Sequence, residues 1–265
     1  MGEIKKTVTL MDIEFINISR YSLLKKIVYP AIEENKKCFI VTANPEVVIE
    51  TRDDPDFKAI VQSADYVVAD GIGVVNASKF KGTPLKERVT GVDIMYDLLQ
   101  YANDYKKRVF FLGASELVNK DVVKIVERDF PGVVIAGRRD GYFNRFDEEV
   151  SKLVLDSNPD IVFVALGAKR QEGWIYHNIE SFDKGIFIGV GGSFDVLSGH
   201  IKRAPEIWIK FQLEWLYRLL KEPNRLKRDM KVLEFMLLHT PGIKWIMKKL
   251  GFSKTKSRSS RDGIR

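Results

Sequence analysis

A chain of 265 residues with 45% apolar side chains suffices for one large α/β domain, alone or with an appendage. One cysteine, Cys38, excludes an internal disulfide and fits a reducing compartment, and the lack of any run of about 18 apolar residues or of an apolar N-terminal stretch predicts neither a membrane span nor export. The net charge of +7 is uneven, because residues 201–265 hold 17 Lys/Arg against 6 Asp/Glu and leave 26 against 30 in residues 1–200. A slightly acidic body with a basic tail points to a docking segment whose partner is anionic lipid, nucleic acid or an acidic protein, rather than to a general polyanion binder.

Residues 7–18 are rich in β-branched side chains with a polar break at Asp12, which predicts two short strands at a sheet edge. Leu23, Leu24, Ile27, Val28 and Ile32 then recur at helical spacing and predict an amphipathic helix over Ser22–Glu34. From Cys38 a single unit repeats, a short apolar run followed by a helix. The runs are Cys38–Val41, Tyr66–Ala69, Val109–Leu112, Val133–Ala136, Ile161–Leu166 and Ile186–Val190. Fully apolar strands alternating with amphipathic helices predict an α/β fold with a doubly wound, mostly parallel, Rossmann-like sheet over residues 1–200. After Gly199–Pro205 only helical patterns remain. Trp208, Phe211, Trp215 and Leu219 form one stripe, Leu226–His239 and Ile243–Leu250 continue it with Lys and Arg opposite, and Ser253–Arg265 is expected to be disordered. Residues 201–265 therefore read as a basic, helical membrane-docking appendage, although the stripe is equally suited to packing on the protein's own core.

The polar chemistry gathers where the predicted strands end. Tyr66–Asn76 reads strand, carboxylate, glycine turn, helix, so Asp70 is either a ligand-site residue at the carboxyl end of a parallel strand or the cap of the next helix. Asn44-Pro45-Glu46 starts a helix just after a strand, where Thr42, Asn44 and free backbone N–H groups face a prospective ligand. Gly71-Ile72-Gly73 and Gly189-Val190-Gly191-Gly192 are glycine-rich turns that each miss the third glycine of the dinucleotide fingerprint, so a sugar nucleotide suits them as well as NAD. Arg88, Lys169, Arg170 and Arg203 are singly surface charges and jointly suggest an anion site, while Gln171-Glu172 reads as a helix start or a polar contact. A P-loop and a Gly-x-Ser-x-Gly elbow are both missing, and the three scattered histidines predict no structural zinc.

In order along the chain, Thr42-Ala43-Asn44-Pro45-Glu46, Ala69-Asp70-Gly71-Ile72-Gly73, Arg88-Val89-Thr90-Gly91, Phe111-Leu112-Gly113, Gly167-Ala168-Lys169-Arg170-Gln171-Glu172 and Gly191-Gly192-Ser193-Phe194-Asp195, with Gly199 and Arg203-Ala204-Pro205, resemble the WecG/TagA/CpsF glycosyltransferase family. The resemblance covers about residues 10–230. It implies an inverting, metal-independent hexosyltransferase that moves N-acetylmannosamine from UDP-N-acetylmannosamine to undecaprenyl-diphosphate-linked N-acetylglucosamine in teichoic acid and cell wall synthesis. Its place would be peripheral, on the cytoplasmic face of the membrane, with no cofactor and no nucleic acid. By the same resemblance Asp70 is the catalytic base, Thr42, Asn44 and Gln171 line the sugar pocket with Arg88 nearby, and the turn of Gly191, Gly192 and Asp195 holds the nucleotide beside Arg203. Arg218, Arg225 and Arg228 match the arginines that the basic appendage of teichoic-acid members brings to the site. Lys169 departs from the small residue or proline expected in its turn. The readings from other classes are an NAD-type oxidoreductase and a nucleic-acid-binding module that uses the tail, and self-association into a homo-oligomer is left open.

Overall fold

The computed structural model describes residues 6–144, 147–201, 204–205, 208, 217 and 226–239, the last segment by its backbone alone over 226–229. Its centre is a six-stranded sheet of β3 (Lys37–Ala43), β4 (Tyr66–Ala69), β5 (Arg108–Gly113), β6 (Val134–Arg139), β7 (Ile161–Ala165) and β8 (Gly185–Gly189), in the spatial order β4-β3-β8-β7-β5-β6. Every neighbouring pair is parallel. The apolar runs are explained by burial on both sides. In β5, Phe110 and Leu112 join one core while Val109 and Phe111 join the other, and β7 divides in the same way, Val162 and Val164 against Ile161 and Phe163.

Three local differences from the sequence expectation have physical reasons. The first two strands, β1 (Thr7–Leu10) and β2 (Ile13–Ile16), form a separate antiparallel hairpin instead of extending the main sheet. Its alternating Val8, Leu10, Ile13 and Phe15 enter the core next to β4, so the hairpin attaches by its apolar face and not by edge hydrogen bonds. The first helix covers residues 20–33 and opens on Ser19, whose side chain accepts from the Ser22 N–H. It widens to a π-helical turn over Leu24–Val28, because Pro30 supplies no N–H and its ring crowds the preceding turn. Finally, β6 continues through Gly137, Arg138 and Arg139, residues that the sequence suggests for a turn. As an edge strand it tolerates polar side chains, and Arg138 closes a 2.7 Å ion pair with Glu116.

Beyond residue 200, helix Leu226–His239 packs on helices Pro45–Asp53 and Ile72–Phe80. Phe235 is fully buried in the core, Arg52 holds Glu234 at 2.6 Å, and Lys231 pairs with Glu50, while Met230 and Leu238 stay exposed. This part of the tail thus meets the body directly. No helix among the described residues is long and apolar enough to cross a membrane.

Candidate active site

The sheet order decides which of the strand-end residues can meet. Neighbouring strands lie about 4.8 Å apart, so the turns after β4, β3, β8 and β7 share one half of the rim. The turns after β5 and β6, with Gly113–Ser115 and Asp140–Gly141, fall on the other half.

Asp70 follows β4 directly, its N–H bonded to Ala43 O at 3.0 Å. It does not cap the helix after it, because that helix, Ile72–Phe80, begins at Gly71 without a side-chain cap. The carboxylate instead accepts from the Gly91 N–H at 3.3 Å, at the start of helix Gly91–Tyr105, whose own cap is Thr90. Asp70 is half-buried at this meeting of two helix starts. The backbone at Arg88 runs close by, because the next residue, Val89, donates its N–H to Ala69 O at 2.9 Å and carries that segment along the end of β4.

On β3, the buried Thr42 hydroxyl donates to Gly189 O at 2.7 Å, joining the ends of β3 and β8, and its Oγ1 lies 3.4 Å from the point a side chain on Gly91 would occupy. Asn44 caps helix Pro45–Asp53 by accepting from the Val47 N–H at 3.0 Å, so a ligand contact falls to its amide nitrogen. After β7, Gln171 is buried and reaches to β8, where its Oε1 accepts from the Gly191 N–H at 3.1 Å. Hydrogen bonds therefore join Asp70 to Gly91, Thr42 to Gly189 and Gln171 to Gly191, and Thr42 and Gln171 fill the space that side chains on Gly91 and Gly189 would take.

The glycine turns differ in what they make room for. A Cβ on Gly71 would lie 2.7 Å from Pro45 Cδ and one on Gly73 3.0 Å from Pro45 Cγ, so these glycines serve close helix packing rather than ligand approach. Gly191 has φ +51°, and among the described residues, chain neighbours aside, no atom lies closer than 3.8 Å to a Cβ built on it or on Gly192. The open backbone is at the Gly191–Gly192 turn, where Asp195 is half-buried in the short helix Ser193–Leu197.

Two suggested anion-binding cations are engaged by other residues of the chain. Lys169, at φ +67°, holds Glu50 at 2.6 Å and Asp54 at 3.1 Å, and Arg170 donates to Gly141 O at 3.0 Å and Phe143 O at 3.2 Å. Both tie the turn after β7 to neighbouring elements. Arg203, Arg218 and Arg225 lie outside the described residues, as does the side chain of Arg228. Among the described residues no group of three or more His, Cys, Asp or Glu is arranged to hold a metal ion.

Sequence reasoning read Glu172 as part of a helix start or a polar contact and missed its burial. Glu172 is fully buried, and its Oε1 accepts from Gln171 Nε2 at 2.8 Å. Burial pushes its carboxyl up to about 7, with nearby Glu46 adding to the shift, while Gln171 and the N–H groups of Lys169 and Glu172 act in the opposite direction. Helical spacing carried the signal, because Glu172 falls on the same arc as Ile175, which marks a carboxyl facing the core.

Sequence similarity gives the class that this α/β fold and its rim serve. The profile of the "Glycosyl transferase WecG/TagA/CpsF family" matches residues 8–249, and the chain belongs to that family. A Bacillus spizizenii protein named N-acetylglucosaminyldiphosphoundecaprenol N-acetyl-beta-D-mannosaminyltransferase is 42% identical over 231 residues, 87% of this chain and 90% of that protein. Relatives of the same name are 38% identical in Bacillus subtilis, over 88% of this chain and 90% of theirs, and 34% identical in Staphylococcus aureus, over 86% and 90%.

Proposed function

We propose that this glycosyltransferase moves an N-acetylmannosaminyl group from UDP-N-acetylmannosamine to N-acetylglucosamine carried on undecaprenyl diphosphate. The observation that carries the reading is the 42% identity, over 87% of the chain, to a transferase named for that acceptor and that sugar. Family membership accounts for the glycine turns that also suggested NAD, and no observation favours a nucleic-acid module.

Asp70 acts as the base. A sugar hydroxyl is a weak nucleophile, and a carboxylate that takes its proton during attack is worth about 10²–10⁴-fold. The acceptor oxygen bonds to the anomeric carbon as that carbon's bond to the UDP oxygen breaks, the proton passes to Asp70, and a single displacement inverts the centre. What supports Asp70 in this role is its position beyond a parallel strand and its orientation by Gly91, in place of the capping role open to it. The departing diphosphate gains negative charge, which Arg88 and the adjoining helix N-termini are suited to stabilise without a metal. The Gly191–Gly192 turn receives the nucleotide, and the basic tail brings the enzyme to the lipid-linked acceptor at an anionic membrane surface.

The test is a panel of UDP-sugars with a lipid-diphosphate N-acetylglucosamine acceptor, read by the mass of the product with and without EDTA. Transfer from UDP-N-acetylmannosamine in both arms is expected, and transfer that stops in EDTA and returns with Mg²⁺ would remove the metal-free mechanism. Asp70→Asn is expected to bind UDP and to lose about 10²–10⁴-fold in kcat. An Asp70→Asn enzyme with full activity would show that the base lies elsewhere.

A further inference from the structure

Gln171 has both ends of its amide assigned. Its oxygen accepts from the Gly191 N–H at 3.1 Å and its nitrogen donates to Glu172 Oε1 at 2.8 Å. Flipping the amide would face its NH₂ toward a peptide N–H, donor against donor, so the pair of bonds fixes one orientation. The space is equally fixed, because a Cβ on Gly189 would come within 2.6 Å of Gln171 Nε2. Glu172 has no contact with solvent, and its Oε2 meets no hydrogen-bond partner among the described residues. A buried carboxyl with one oxygen unsatisfied costs stability, and such groups persist where their placement serves a site. Nearby charged groups are Glu46, in the first turn of helix Pro45–Asp53, and Lys169, which stands at the start of the helix that carries Glu172 and turns its ammonium to Glu50 and Asp54.

We infer that Glu172 is a positioning residue for donor binding: its carboxyl anchors the Gln171 amide, which in turn holds the Gly191–Gly192 turn in the shape that receives the nucleotide. The inference rests on the reading of that turn as the donor site. Loss of one buried hydrogen bond corresponds to about tenfold in affinity, and the effect belongs on the donor and not on the acceptor.

The test compares Glu172→Met, Glu172→Asp and Glu172→Gln in the full chain. Met removes the acceptor at similar volume, Asp keeps a carboxyl but withdraws it by one methylene, and Gln restores an acceptor at full reach. Hydrogen exchange at the Gly191 amide and the KM values for UDP-sugar and acceptor are measured for each. Met and Asp are expected to speed exchange at Gly191 and to raise the donor KM about tenfold, with kcat and acceptor KM nearly unmoved, and Gln is expected to recover both. If Met does not fold, the Asp and Gln pair carries the comparison. Unchanged exchange and donor KM in Met or Asp overturns the inference, and so does a Gln variant as impaired as Asp. Absence of transfer by the unmodified enzyme would remove the proposed function instead, and exchange at Gly191 would then decide the positioning role alone.

Discussion

At the level of single residues, the site combines groups whose bonding partners leave little freedom. Glu172 holds its proton more tightly folded than unfolded, since its carboxyl is raised from 4.5 to about 7. Such a group lowers stability as pH rises through that interval, and the loss is complete above about 7, where the buried carboxylate must carry its charge. The full effect is about 3 kcal/mol. Urea denaturation is therefore expected to show stability falling between about pH 4.5 and 7, with that component absent in Glu172→Gln. Gly189→Ala attacks the same pair from the backbone. Its methyl would lie 2.6 Å from Gln171 Nε2, so a loss of about 1–3 kcal/mol in denaturation is expected, with a raised donor KM.

At the level of elements, helix Leu226–His239 is anchored to the body by one aromatic residue and two ion pairs. The ion pairs are partly exposed, Arg52 and Glu234 at 36% and 44% of their side chains, and contribute about 0–1 kcal/mol each. Phe235 is fully buried, and truncating such a side chain costs about 3–5 kcal/mol. Phe235→Ala is accordingly expected to free this helix, seen as faster hydrogen exchange over 226–239 with protection kept in β5 and β7. Arg52→Ala is expected to change that exchange only slightly. The rim below the helix would feel its loss, because Phe235 lies 3.8 Å from the point a Cβ on Gly73 would occupy, three residues after Asp70.

For the molecule as a whole, charge separates the body from the end of the tail. Residues 240–265 carry eight Lys/Arg and one Asp. Each basic residue near an anionic leaflet contributes about 1 kcal/mol, so changing Lys244, Lys248, Lys249 and Lys254 to Gln is expected to weaken binding to phosphatidylglycerol-rich vesicles by about a hundredfold or more. Sedimentation with vesicles measures this, and raised salt should mimic it. These positions make a cleaner test than deletion from residue 200, which would also remove Phe235 from the core. Binding that survives both changes would assign membrane docking to another surface.

The α/β class and its parallel sheet were legible because apolar runs such as Phe110–Leu112 and Ile161–Ala165 have no polar face, a pattern that only double-sided burial supports. Asp70, Thr42 and Gln171 were legible as strand-end residues for the same reason, since chemistry in such sheets collects where the strands stop. Of the two readings that sequence left open at Asp70, cap or site, the structure removes the cap, because the carboxylate accepts from the N–H of a residue 21 positions away, Gly91. Likewise Lys169 read as a surface or anion-site cation until folding brought Glu50 and Asp54 to it, and Glu172 read as a helix start or polar contact until its carboxyl was found to accept from Gln171, which reaches Gly191. Sequence by itself determined which residues stand at most of the strand ends, β6 excepted, because local hydrophobic period sets where a buried strand stops. Only the tertiary structure decided which of them lie together, because the order β4-β3-β8-β7-β5-β6 is fixed by long-range packing that brings Asp70, Thr42, Gln171 and Gly191 to one half of the rim.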